Sequence, residues 1–290
     1  MDESGVVGVQ AQLSLADMCH NAAAEFGKSK EQPKPSDECY TPPEVYRVVL
    51  DYCIEHYNID PEQVIRPFKP GGDYTREDYA GKVVIDNPPF SILAQIKRFY
   101  VSEGVPFFLF APTLMLFSPT ALVSSCCHIC CGYSIRYANG VQVATSFVTN
   151  MEHEHIVKTE PQLYAAIKAA QGETGKRAAR VLGYPDQIVT AARLKELAKN
   201  GVELNIRQSE CCPIPALDEQ RTMNIKKGCN KIFGGGLLLS TKATERWQAA
   251  KEEKRRNQDT RRDKDGDVLE FHLTEREKAI VKMLDARETA

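Results

Sequence analysis

The residues of this chain best suited to chemistry are Asn87, Pro88, Pro89 and Phe90, which follow the run Val83-Val84-Ile85-Asp86. Neither proline has a backbone N–H and both have a fixed φ, so the tetrapeptide presents carbonyl oxygens in set positions. The side-chain oxygen of Asn87 adds another acceptor. Two acceptors converging on a planar –NH₂ group would draw its lone pair out of conjugation with a ring and aim it at an electrophile. Phe90 offers a flat face on which that ring can stack. The plain alternative is a stiff loop leaving a strand, because short motifs of this kind also arise by chance.

The elements around the tetrapeptide must place it. Val83 to Ile85 are β-branched and predict a buried strand with Asp86 at its C-terminal end, the edge where open α/β sheets bind ligands. Thr41 as N-cap, Pro42 at the first helical position and Glu44 three residues on predict a capped helix, with Val45, Val48, Val49, Tyr52, Cys53 and His56 at helical spacing. Val64 to Tyr74 predicts a strand ending in a tight loop at Gly71-Gly72. After Phe90, Ser91 caps a helix carrying Ile92, Leu93, Ile96, Phe99 and Tyr100, and Gly104 stops it. Phe107 to Ala111 is then a strand that a right-handed crossover sets parallel to the first. Val123 to Ile135 and Val141 to Thr149 form a hairpin turning at Asn139-Gly140.

Asn87-Pro88-Pro89-Phe90 resembles the (Asp/Asn)-Pro-Pro-(Tyr/Phe) motif of amino-group methyltransferases that use S-adenosylmethionine, above all those specific for adenine in DNA. The run Gly71-Gly72-Asp73-Tyr74 to Asp78, followed by Val83 to Leu93, looks like the corresponding segment of EcoRI-type modification methylases. The resemblance covers about residues 37–150 and implies a compact, Rossmann-like α/β fold with a mixed sheet and a C-terminal helical, basic extension. It further implies S-adenosylmethionine as cofactor, DNA as partner, and a bacterial or phage restriction-modification setting. By carry-over, Asn87, Pro88, Pro89 and Phe90 handle the target base. Tyr40, Thr41 and Pro42, the loop residues Pro67, Phe68, Gly71, Gly72 and Asp73, and Asp86 contact the cofactor. Two departures stand out: Arg66 replaces a usual acid, and Pro70 replaces the first glycine of the loop. Only thirteen residues (73 to 85) separate Gly72 from Asp86, too few for the extra strands and helices of a full doubly wound domain. Asp73, Glu77 or Asp78 then stands in for the missing ribose-binding acid, or the sheet uses fewer or reordered strands. The same motif serves methyltransferases acting on RNA or on glutamine, and a nucleic-acid-binding module that has lost catalysis is a further alternative.

A chain of 290 residues with 42% apolar content can bury one large core with an appendage. We divide it into a lead-in at 1–36, a catalytic core at 37–158 and a C-terminal region at 159–290 that could read the target. A net charge of −2 gives no global pull on nucleic acid, so DNA contact falls to local basic patches within 176–260. No secretory signal is visible in the first thirty residues, and ten cysteines then suggest reduced thiols in a cytoplasmic protein. No Asp, Glu, Lys or Arg occurs from Gly104 to Ile135; prolines divide that stretch, which reads as sheet interior rather than a membrane span.

Cys127-x-x-Cys130 has zinc-ligand spacing, with Cys126, His128 and Cys131 beside it. No matched second pair follows, and adjacent strand cysteines face opposite ways, so no metal is expected. Thr149 and Asn150 either line the target pocket or cap a strand. Further on, Pro161–Gln171 and Thr190–Lys199 predict helices and Val202–Arg207 a short strand. The three glycines Gly234 to Gly236 read as a flexible turn before Leu237–Leu239, or as a close backbone approach. A helix from Thr241 to about Asn257 carries Trp247 and a charged end, Lys254 to Arg256, which is a solvated face or a phosphate contact. Thr274 caps the last helix, with Glu277 completing the box.

Overall fold

The computed structural model describes residues 41–69, 72–117, 125–138, 140–172, 182–222, 231–232, 234–257 and 269–288. In chain order they form α1 (Pro43–Tyr57), β1 (Val64–Ile65), β2 (Val83–Asp86), α2 (Leu93–Ser102), β3 (Phe107–Pro112), β4 (Cys127–Arg136), β5 (Gln142–Thr149), β6 (His155–Thr159) and α3 (Pro161–Gln171). There follow β7 (Leu182–Gly183), β8 (Ile188–Thr190), α4 (Ala191–Lys199), β9 (Asn205–Arg207), β10 (Cys211–Ile214), α5 (Asp218–Thr222), β11 (Gly236–Leu239), α6 (Thr241–Asn257), β12 (Leu269–Glu270) and α7 (Glu275–Glu288).

Seven strands make one mixed sheet in the order β1-β2-β3-β5-β4-β6-β9. The first three are parallel, β5 opposes both β3 and β4, β6 follows β4, and β9 opposes β6. Hence β2, β3, β4 and β6 all end at one edge, which Asp86 shares. β10, β11 and β8 build a small antiparallel sheet. The fold is therefore mixed α/β, with a small second sheet and C-terminal helices. The boundary drawn at residue 158 falls inside the large sheet, since β9 supplies its last strand. β1 and β2 pair directly, with no helix among the described residues between them, so the short spacing before Asp86 is met by a reduced sheet.

Alternation along the strands makes two apolar layers. Val83, Ile85, Phe108, Phe110 and Phe147 pack with Val45, Val49 and Cys53 of α1 on one face. Val84, Leu109 and Val148 pack with Leu93, Ile96 and Tyr100 of α2 on the other. The cysteines obey the same rule: Cys127 and Cys131 join the α1 layer, and Cys126 the α2 layer. All of these, with Cys130, are buried free thiols, and burial pushes Cys126 up to about 11 and Cys130 up to about 12. Among the described residues no group of His, Cys, Asp and Glu is placed to hold a metal ion. Cys53 and Cys211 are likewise buried free thiols. No helix among the described residues is long and apolar enough to cross a membrane.

Two helix starts differ from expectation. Pro42, in an extended conformation, is the N-cap of α1, and no side chain caps it; a residue ahead of proline is pushed toward extended backbone, which takes Thr41 out of capping position. Phe90–Ile92 form a 3₁₀ turn, so α2 begins at Leu93 and Ser91 is not its cap. Thr149 pairs with Phe108 and Asp86 with Leu109, so Thr149 stands within one residue of the level of Asp86, on the far side of β3. Thr149 Oγ1 donates to the Phe107 carbonyl, and Asn150 accepts from the Phe107 amide and donates to the Val105 carbonyl. These bonds fasten the start of β3.

The glycine turn is a close approach rather than a flexible link. Gly234 and Gly235 have φ of 81° and 79°, and a Cβ on them would lie 2.2 Å from the Leu114 carbonyl oxygen and 2.3 Å from that of Phe117. Gly235→Ala should therefore lose about 2 kcal/mol or more in urea unfolding, from backbone strain plus the clash; unchanged stability would refute this contact.

The C-terminal helix follows the expected pattern. Thr274 N donates to Glu277 Oε2 at 2.9 Å and Glu277 N to Thr274 Oγ1 at 3.4 Å, and Glu277 is fully buried. Arg276 clasps Asp218 with two bonds of 2.9 and 2.7 Å. These bonds, with one from Thr274, hold the Asp218 carboxyl below its ordinary value. Ionised Asp218 thus favours the folded state above its unfolded pKa of about 3.9, and the benefit disappears as pH falls through the lower folded value. Asp218→Asn should unfold at lower temperature than the parent at pH 7, with the two melting curves converging below about pH 4.

Candidate active site at the β2 edge

At the tip of β2 the Asp86 carboxylate, 1% exposed, ties two loops together. Its Oδ1 accepts from Arg66 Nε at 3.1 Å and from the Asn87 amide at 2.9 Å, and its Oδ2 from the Phe68 amide at 3.1 Å. The segment after β1 and the Asn-Pro-Pro-Phe loop are thereby one rigid unit. Despite these donors, burial raises the Asp86 carboxyl above its ordinary value.

Arg66 stands over the Tyr46 ring, with its guanidinium carbon 3.9 Å from the ring centre. The Tyr46 hydroxyl donates to the Ile85 carbonyl at 2.9 Å, and desolvation pushes this phenol up to about 12. The first turn of α1, the end of β1 and the end of β2 therefore meet at a single point. Pro67 is buried and Phe68 half-buried, the latter against Tyr74 and Tyr100.

Asn87 is half-buried and its Oδ1 is shielded from solvent. Pro88 is buried, and among the described residues its carbonyl accepts no backbone hydrogen bond; the Pro89 carbonyl accepts from Ile92 N at 3.2 Å. Phe90 is half-buried and meets Tyr137 edge-on, with ring centres 6.4 Å apart. Tyr137 is fixed through its hydroxyl to Thr145 Oγ1 at 3.1 Å. It follows the last residue of β4, so the end of that strand stands against Phe90. Thr113, just past β3, shares a 2.8 Å bond with Ser146 at the same edge.

No protein-family model, curated protein or solved structure matches this chain. The reading of the site therefore rests on its own geometry.

The structure brings Asn87, Pro88, Pro89, Phe90, Asp86, Pro67 and Phe68 together, with Pro42 joined through its bond from Tyr46 N. Thr41 Oγ1 is shielded and has no partner among the described residues. Gly72 closes a tight turn, its amide bonded to the Lys69 carbonyl, and a Cβ there would meet the Lys69 and Pro67 carbonyl oxygens at 3.1 and 3.3 Å. Asp73 is exposed and committed to Thr75 and Arg76, and the Thr75 bonds hold its carboxyl below the ordinary value. Tyr40 and Gly71 lie outside the described residues. Sequence reasoning missed Tyr46 and Tyr137. The first was hidden among helical apolar positions; the second, an aromatic just before Asn-Gly, marks the base of the hairpin turn.

A cavity of about 530 Å³ lies at the opposite end of the sheet, lined by His155, Arg207, Glu210, Arg246 and Glu253. The stretch of α6 that lines it leads directly into Lys254, Arg255 and Arg256, so these cations stand far from Asn87. The basic residues Lys176, Arg177, Arg180, Lys226 and Lys227 lie outside the described residues.

Proposed function

We propose that this chain is an S-adenosylmethionine-dependent, Rossmann-like methyltransferase that modifies the exocyclic amino group of adenine in DNA. The observation that carries this reading is the Asn-Pro-Pro-Phe loop at the C-terminal end of β2, a parallel strand paired on both sides, with a Pro88 carbonyl that accepts no backbone hydrogen bond among the described residues and the Phe90 ring beside it. The residues present suit the cofactor. Pro67, Phe68 and the close turn at Gly72 make a backbone-lined loop held by Asp86, Thr41 Oγ1 lacks a partner among the described residues, and Arg66 presents positive charge nearby. When bound, S-adenosylmethionine supplies a methyl group activated by a positive sulfur.

The chain's own residues bind and orient the base. An adenine within a duplex has its amino group paired, so the base must leave the stack to react. Phe90 then stacks against it, and Asn87 Oδ1 and the Pro88 carbonyl accept its two amino hydrogens, localising the nitrogen lone pair. Presenting Oδ1 requires the Asn87 side chain to turn outward from its shielded position. Sequencing DNA from cells that express the protein, with detection of modified adenines, tests the reading; unmodified DNA alongside modified RNA or modified protein glutamine would assign the same chemistry to another substrate.

That shielded oxygen favours a second reading, a nucleic-acid-binding module without catalysis. Calorimetry with S-adenosylmethionine separates the two, because the module would show no heat of binding.

A further inference from the structure

Arg66 is the residue at this edge whose placement is not explained by packing. Its side chain is 49% exposed, yet it is fixed twice: Nε bonds to the nearly inaccessible Asp86 carboxylate, and the guanidinium stands over Tyr46. An arginine ordinarily keeps about 2 kcal/mol of rotamer freedom. Here that freedom is given up with half the group still facing outward. Among the described residues neither terminal nitrogen, Nη1 or Nη2, has a hydrogen-bond partner. The result is a pre-aimed pair of parallel donors, the arrangement that matches the two oxygens of a planar oxyanion.

The first turn of α1 adds amide donors near Arg66, and also the exposed carboxylate of Glu44. Tyr46 belongs to the first turn of α1, where the Glu44 and Val45 amides have no acceptor among the described residues, and such a turn favours negative charge. The one carboxylate in contact with Arg66 is Asp86, whose oxygens already receive three donors.

Resting on the function proposed above, we propose that Arg66 holds the α-carboxylate of the cofactor's amino-acid portion through Nη1 and Nη2. A small-molecule carboxylate is favoured over a DNA phosphate because Asp86 fixes Arg66 and the Phe68 amide together, and so sets the donor pair within the cofactor loop. Arg66 is thus a specificity residue that distinguishes an aminoacyl nucleoside from a bare one. The acid usual at this place in similar methylases could not perform that task.

The test is calorimetric titration of the full chain and of its Arg66→Gln variant with S-adenosylhomocysteine, with 5′-methylthioadenosine, which lacks the carboxylate, and with duplex DNA. Losing a charge-assisted hydrogen-bond pair should weaken S-adenosylhomocysteine binding about 10- to 100-fold. Affinity for 5′-methylthioadenosine should stay within about twofold, which also shows that the loop survives the substitution; Arg66→Lys should recover part of the loss, since a point charge replaces the fork. Equal loss for both nucleosides, no loss for either, or a loss confined to DNA would overturn the assignment while leaving a cofactor-binding protein. Failure of the unaltered chain to bind either nucleoside would instead overturn the function proposed above, and this assignment with it.

Discussion

Asn87→Ala should remain folded and lose methyl transfer by at least about 10²-fold, the order seen when one preorganised polar contact to a reacting group is removed. Asn87 is half-buried at a loop, and α2 and β2 keep their apolar contacts without its amide. The change should therefore appear in single-turnover transfer of labelled methyl to DNA and hardly at all in the melting curve. Cofactor affinity should also hold, because Phe68, Gly72 and Arg66 are untouched. Full turnover by this variant would remove Asn87 from the chemistry. Loss of both fold and cofactor binding would show it to be a structural residue.

The second large effect has the opposite sign for stability. Lys97 on α2 is fully buried, facing the layer that holds Cys126 and His128. Desolvation pulls its ammonium down to about 8 from 10.5, partly offset by Cys126. The same burial keeps the His128 ring neutral, and the Lys97 charge reinforces this. Because the folded pKa is depressed, the unfolded chain binds more protons between about 8 and 10.5, so the penalty is complete at pH 7 and fades as pH rises through that window. Lys97→Met should accordingly raise the unfolding free energy at pH 7 by at most about 3 kcal/mol, reduced by the polar interaction that Lys97 itself makes. Urea titrations at pH 7 and pH 10.5 give the check. The gain should shrink at the higher pH, and a variant no more stable than the parent at pH 7 would contradict the expectation.

Strong local signals carried over well from sequence to structure. The β-branched run Val83–Ile85, the helical spacing of Pro161–Gln171 and the Thr274–Glu277 box each involve residues within one element, where pattern and geometry are nearly the same thing. The parallel placing of β3 beside β2 followed from chain connectivity alone. What was illegible depended on contacts between distant segments. The register of α2 sets Lys97 on the same stripe as Leu93, Ile96 and Tyr100, but a lysine there is ordinarily expected to reach solvent rather than be buried. Tyr46 counted as one more position of α1 until β1 brought Arg66 onto its ring. Gly234 and Gly235 have the composition of a loose link, and only the turn after β3 shows why side chains are excluded there. Thr149 and Asn150 could not be assigned to an end of the sheet before the antiparallel direction of β5 was known. At Asp86 the residue type suggested ligand binding, whereas its oxygens are occupied by Arg66, Phe68 and Asn87.

The backbone contact at Gly234 and Gly235 also bears on how such a protein can diverge. At these two positions any side chain would displace the segment that leaves β3. The glycine pair should therefore stay frozen among descendants even where the surface segments around it drift.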